Sequence, residues 1–130
     1  MAERSADWMK QAKRDMEMAG KARESGYYEW TCFISQQAAE KAVKAVYQAK
    51  GGSALGHGIG ALLRGLKDEG LSIHEGIRKA AKNLDGYYIV SRYPDGMTQG
   101  TPADHLDLED ADGSIRSAGE IIRFCEDILA

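Results

Sequence analysis

Phe33-Ile34-Ser35-Gln36-Gln37-Ala38-Ala39-Glu40-Lys41-Ala42-Val43-Lys44-Ala45-Val46 is the stretch on which the fold turns. At helical period, Ile34, Ala38, Ala42, Ala45 and Ala49 share one face, while Gln37, Lys41, Lys44 and Gln48 share a more polar face beside it. Alanines repeated at contact positions let a neighbouring backbone come close. This helix is therefore expected at the centre of a helical bundle, with its polar stripe free for solvent or a partner.

On the N-terminal side, the first helix begins near Ser5 or Asp7, either of which can cap it, and buries Trp8, Ala12, Met16 and Ala19. Gly26 stops it. The second helix opens at Tyr27-Tyr28-Glu29-Trp30 and ends near Lys50, before Gly51-Gly52-Ser53. The glycine-rich run to Gly60 lacks the Gly-Lys-Ser/Thr ending of a phosphate loop and reads as a flexible connection. A third helix passes through Leu62, Leu63 and Leu66 to Gly70, with His57 just before its start. A fourth runs from about His74 to Arg92, with Ile77, Ala80, Ala81, Leu84, Tyr88 and Ser91 inside and Arg78, Lys82, Asp85, Ile89 and Arg92 outside. Pro94 disfavours helical geometry at Tyr93, and Asp95-Gly96 reads as a turn. From Tyr93 to about Leu108 no helical pattern appears, and a connection of that length is usually functional or mobile. The last helix carries Ala111, Ile115, Ala118, Ile122, Cys125 and Leu129 on its apolar stripe. With no sustained strand alternation and no internal repeat, the class is all-α, an up-and-down antiparallel bundle of four to five helices.

A chain of 130 residues is most simply one domain over 1–130, large enough to fold without staples. Cys32 and Cys125 lie in predicted helices without C-x-x-C spacing and read as buried thiols. The N-terminal segment lacks the apolar core of a signal peptide and no apolar run approaches membrane-spanning length, so the expected location is cytoplasmic. Net charge is -3, which argues against a strongly basic nucleic-acid coat. The charge is unevenly divided: residues 1–60 carry nine Lys/Arg against seven Asp/Glu, residues 61–130 eight against thirteen. The three histidines have no metal-ligand spacing, and neither metal nor cofactor is assigned.

Four segments together carry a resemblance: Trp8-x-x-x-Ala12-x-x-Asp15-Met16-x-x-Ala19; Phe33-x-x-Gln36-Gln37-Ala38-Ala39-Glu40-Lys41-Ala42-x-Lys44-Ala45; His57; and Leu84-Asp85-x-Tyr87-Tyr88-Ile89-x-Ser91-Arg92-Tyr93-Pro94-Asp95. They resemble the HEPN family, the nucleotide-binding domain of higher eukaryotes and prokaryotes, over nearly the whole chain. The resemblance implies an up-and-down bundle that commonly dimerises, often encoded beside a minimal nucleotidyltransferase in a toxin and antitoxin arrangement. It also implies, in many members, metal-independent ribonuclease activity from an arginine followed a few residues later by a histidine.

Arg92 matches that arginine by position, but the next histidine is His105. Arg92 can stabilise charge on a phosphorane; proton transfer then needs His105 folding back, or His57 approaching from the connection before the third helix. Each candidate also has a plainer reading. Arg92 at a helix C-terminus is favoured by the helix dipole, and Asp85 can orient Arg92 or pair with Lys82 in water. Lys41 and Lys44 can bind phosphate, although Glu40 with Lys44 is also an ordinary helix-surface pair. Tyr87, Tyr88 and Tyr93 can stack on bases, with core packing favoured for Tyr88. Three functions are therefore expected in order: nucleotide or RNA binding beside a nucleotidyltransferase partner, an RNase toxin, and a non-catalytic protein-interaction module.

Overall fold

The computed structural model describes residues 3–52 and 54–130; Met1 and Ala2 of the N-terminal segment and Ser53 of the glycine-rich connection lie outside the described residues. The helices are α1 (Ser5–Glu24), α2 (Tyr28–Ala49), α3 (Ile59–Asp68), α4 (Glu75–Asp85), α5 (Tyr87–Val90), α6 (Pro102–His105) and α7 (Leu108–Leu129), with a 3₁₀ turn at Pro94–Gly96. Among the described residues there is no strand. The all-α expectation holds, with five helices longer than one turn.

Helix α2 is the axis of the bundle. It packs most extensively on α1, then on α7, and also meets α3, α4 and α5. Ala38, Ala39, Ala42, Val43, Ala45 and Val46 are fully buried, as the close-packing alanine pattern requires. Two details of the expected seam differ. Ile34 is only half-buried and Ala49 is exposed, while Gln36 and Glu40 are buried in their place. The buried face is thus wider and more polar than the apolar spacing indicates.

Neither Ser5 nor Asp7 caps α1. Arg4 occupies the N-cap without a side-chain bond, and Asp7, inside the first turn, receives Arg4 Nε at 3.0 Å. The expected fourth helix is divided at Gly86 into α4 and α5; Gly86 keeps near-helical angles (φ -62°, ψ -20°), so the chain continues in the same sense. On α7 the buried set is Ala111, Ser114, Ala118, Ile121, Ile122 and Cys125, so Ser114 takes the place expected for Ile115 and Ile121 joins Ile122. The two thiols are fully buried and free, and burial pushes them up to about 11 for Cys32 and about 12 for Cys125.

The connection after Arg92 contains more structure than its lack of period suggests. Thr101 Oγ1 accepts from Asp104 N while the Asp104 carboxylate accepts from Thr101 N, a capping box that opens α6 at Pro102. Asp107 and Asp110 make the same reciprocal pair at the start of α7. No described helix is long and apolar enough to cross a membrane.

Candidate functional site

Phe33, Gln36, Glu40 and Lys44 follow one another at spacings of three and four along α2 and so form one stripe. The connection before α3 and the residues of α5 lie against it. The expected polar stripe through Gln37, Lys41, Lys44 and Gln48 is displaced by about a residue from the one that gathers the chemistry.

Arg92 follows α5 by two residues. Its Nε donates to the Tyr88 carbonyl at 2.9 Å, and the guanidinium carbon lies 4.4 Å from the ring centres of both Phe33 and Tyr88 and 4.9 Å from that of Tyr93. Among the described residues no carboxylate pairs with it. Aromatic faces hold the flat ion in place by cation–π attraction, and its terminal N–H groups remain for an acceptor from outside.

His57 shares the Tyr88 ring. Its imidazole stacks there with 4.7 Å between centres and 18° between planes. Gln36 Nε2 donates to the His57 carbonyl at 2.8 Å, which pins the connection to α2. Nδ1 of His57 lies 2.9 Å from Glu40 Oε1, and Lys44 Nζ donates to Glu40 Oε2 at 3.1 Å. Glu40 is only 4% exposed, so the ordinary surface pair expected of Glu40 and Lys44 is instead a buried carboxylate held from two sides. Lys44 also lies 6.0 Å above the Trp8 ring, which connects α1 to the cluster.

The remaining sequence candidates occupy other surroundings. Lys41 pairs with Asp15 of α1. Lys82 is exposed on α4. Asp85 turns both oxygens to backbone amides, Ile59 N at 2.8 Å and Gly60 N at 2.9 Å, instead of pairing with Arg92 or Lys82. Tyr87 donates its hydroxyl to Asp110 at 2.7 Å, and burial, reinforced by that carboxylate, pushes the phenol well above its ordinary range. His105 Nε2 lies 2.6 Å from the Gln99 carbonyl within its own loop. The structure therefore brings Lys44, Tyr93 and Arg92 into one region with Phe33, Gln36, Glu40, His57 and Tyr88.

Sequence reasoning missed Glu40 and Gln36 as members of this cluster. The three-and-four spacing from Phe33 to Lys44 was the available signal.

The model of the HEPN domain matches residues 5–128. The chain belongs to the HEPN domain family. Solved structures agree with the assignment to HEPN. A protein of Thermus thermophilus is 39% identical, with 97% of this chain and 98% of that one covered and a TM-score of 0.93. An archaeal HEPN homologue is 40% identical over 99% and 100% of the two chains, with a TM-score of 0.84. A HEPN domain protein from Thermotoga maritima is 39% identical over 95% and 97%, with a TM-score of 0.76. No curated protein matches the chain. Within this HEPN bundle the arginine of the Ser91-Arg92-Tyr93 segment stands on aromatic faces, and the histidine that contacts those faces is His57 rather than His105.

Proposed function

We propose that this HEPN domain binds a nucleotide or RNA through a phosphate at Arg92. The observation that supports this is the guanidinium itself: stacked on Phe33, Tyr88 and Tyr93, with no carboxylate partner among the described residues. A cation so placed meets a phosphate with two parallel N–H groups and gives up little side-chain freedom in doing so. Tyr93, 49% exposed beside it, offers an aromatic surface to a base. In this reading the chain works as a cytoplasmic homodimer with a minimal nucleotidyltransferase partner, in a toxin and antitoxin pair. The exposed Met18, Tyr27 and Trp30 support contact with another chain. Titration of a 5′-phosphorylated dinucleotide tests the core of the proposal. Arg92→Ala is expected to weaken binding while the far-ultraviolet circular dichroism stays as in the parent; equal affinity overturns it.

The second reading is a metal-independent endoribonuclease, and the contact of His57 with the ring that also carries Arg92 favours it. Cleavage of RNA in chelator by the parent, lost in Arg92→Ala and in either His57→Ala or His105→Ala, would establish the activity and identify its histidine. An inactive parent removes it.

A further inference from the structure

Phosphate binding at Arg92 leaves a second group of the same cluster unassigned. The His57 side chain is 50% exposed; its Nδ1 is turned to Glu40, and Nε2 has no partner among the described residues. Glu40 is held on its other oxygen by Lys44. His57 lies 4.7 Å and the Arg92 guanidinium carbon 4.4 Å from the centre of the Tyr88 ring, so the two cannot be further apart than these lengths combined. Successive phosphates of a nucleic-acid strand, joined through a single sugar, fall within that reach. So do the joined phosphates of a nucleoside diphosphate.

We propose that His57, aligned by Glu40, makes a second phosphate contact through Nε2, so that the site selects ligands with two linked phosphates over a monophosphate. The proposal rests on the reading of Arg92 as the first phosphate contact. A neutral imidazole that donates Nδ1–H to Glu40 presents a lone pair at Nε2, which repels a phosphate oxygen. A proton on Nε2 converts that edge to a donor, and Glu40, in contact with Nδ1, fixes the orientation in which the ring presents it. Four charged groups lie around the imidazole: Glu40 and Lys44 on α2, Asp85 on the Ile59 and Gly60 amides, and Arg92 after α5. A second phosphate adds negative charge at the Nε2 edge and so draws the proton in. Glu40 acts here as a positioning residue.

The test is calorimetric titration of AMP, ADP and a 5′-phosphorylated diadenylate in chelator at pH 6 and pH 8. ADP or the dinucleotide is expected to bind roughly tenfold tighter than AMP at pH 6, with a smaller advantage at pH 8. The ligand's own terminal phosphate gains a proton near pH 6, which weakens its binding on acidification, so a gain on acidification comes from the protein. His57→Gln is expected to lose both the two-phosphate preference and its pH dependence, and Glu40→Gln, which loosens the ring, to reduce the preference. A larger advantage for ADP identifies a nucleoside polyphosphate as the ligand class; a larger one for the dinucleotide identifies a strand. Equal affinity for AMP and the two-phosphate ligands, or an unchanged preference in His57→Gln, overturns the inference. Unchanged affinity in Arg92→Ala overturns instead the reading beneath it. If Glu40→Gln does not fold, His57→Gln, altered at a half-exposed side chain, decides the matter.

Discussion

Asp85, the last residue of α4, closes the start of α3 at Ile59: its Oδ1 accepts Ile59 N at 2.8 Å, and its second oxygen accepts Gly60 N at 2.9 Å. The N-terminus of α3 has no capping side chain of its own, since Gly58 occupies the N-cap. A residue distant in sequence thus satisfies two of the amides that every helix start leaves open. Asp85→Ala is expected to lower stability by about 1–2 kcal/mol, the usual effect of removing a cap, and Asp85→Asn by less. Urea denaturation at neutral pH checks both values; an unchanged midpoint in Asp85→Ala would show that water replaces the carboxylate.

Arg92→Lys tests whether charge alone accounts for the proposed phosphate contact. Lysine keeps the charge but loses the planar face that Phe33 and Tyr88 hold at 4.4 Å and the fork that grips a phosphate. Affinity for the phosphorylated dinucleotide is expected to drop roughly tenfold or more, since a charged hydrogen bond contributes about 1.5–3 kcal/mol. Parental affinity in Arg92→Lys would mean that a point charge suffices.

Gly65 of α3 faces the Tyr47 hydroxyl, which donates to the Leu62 carbonyl at 2.6 Å. A Cβ at position 65 would overlap that hydroxyl. Gly65→Ala is expected to destabilise by about 1–3 kcal/mol through displacement of Tyr47. Tyr47→Phe should relieve part of this, so the double variant should lose less than the two single losses added. Strict additivity in chemical denaturation would place the strain elsewhere.

The buried thiols give the protein a sensitivity to base. Burial raises Cys32 to about 11 and Cys125 to about 12, so the native state keeps both protons after the unfolded chain, whose thiols titrate at about 8.5, has released them. Their contribution is fully present below the unfolded value and is lost as pH rises from there toward the folded values. The stability curve is expected to slope down by about 1.4 kcal/mol per pH unit for each thiol once the unfolded thiols are ionised. Urea denaturation at steps between pH 8 and 10 measures the slope, and Cys125→Ala should make it shallower by one such increment. Parallel curves for parent and variant would refute the assignment.

Much of the bundle was legible in the sequence because its signals are local. The alanine period of α2 places that helix inside, and the glycine at position 26 and the proline at 94 stop helices by backbone constraints that no tertiary contact alters. The Thr101-x-x-Asp104 spacing was equally local, and it accounts for a helical turn where the hydrophobic pattern alone shows none. Gln36 and Glu40 were harder. Their residue types belong to solvated faces, and their positions beside Ala38 and Ala39 are consistent with either side of the helix until a neighbour covers one.

Periodicity, chain-breaking residues and motif act over a few positions, and they suffice for an all-helical bundle built on α2, for the place of Arg92 in a family segment and for the list of candidate histidines. Packing in three dimensions was needed to select His57 over His105 as the histidine on the aromatic cluster beneath Arg92, to bury Glu40 between His57 and Lys44, and to bring Asp85 onto the start of α3. Each of these joins side chains on separate elements. The partner of a carboxylate or an imidazole is set by which helix packs over it, and a one-dimensional spacing does not carry that information.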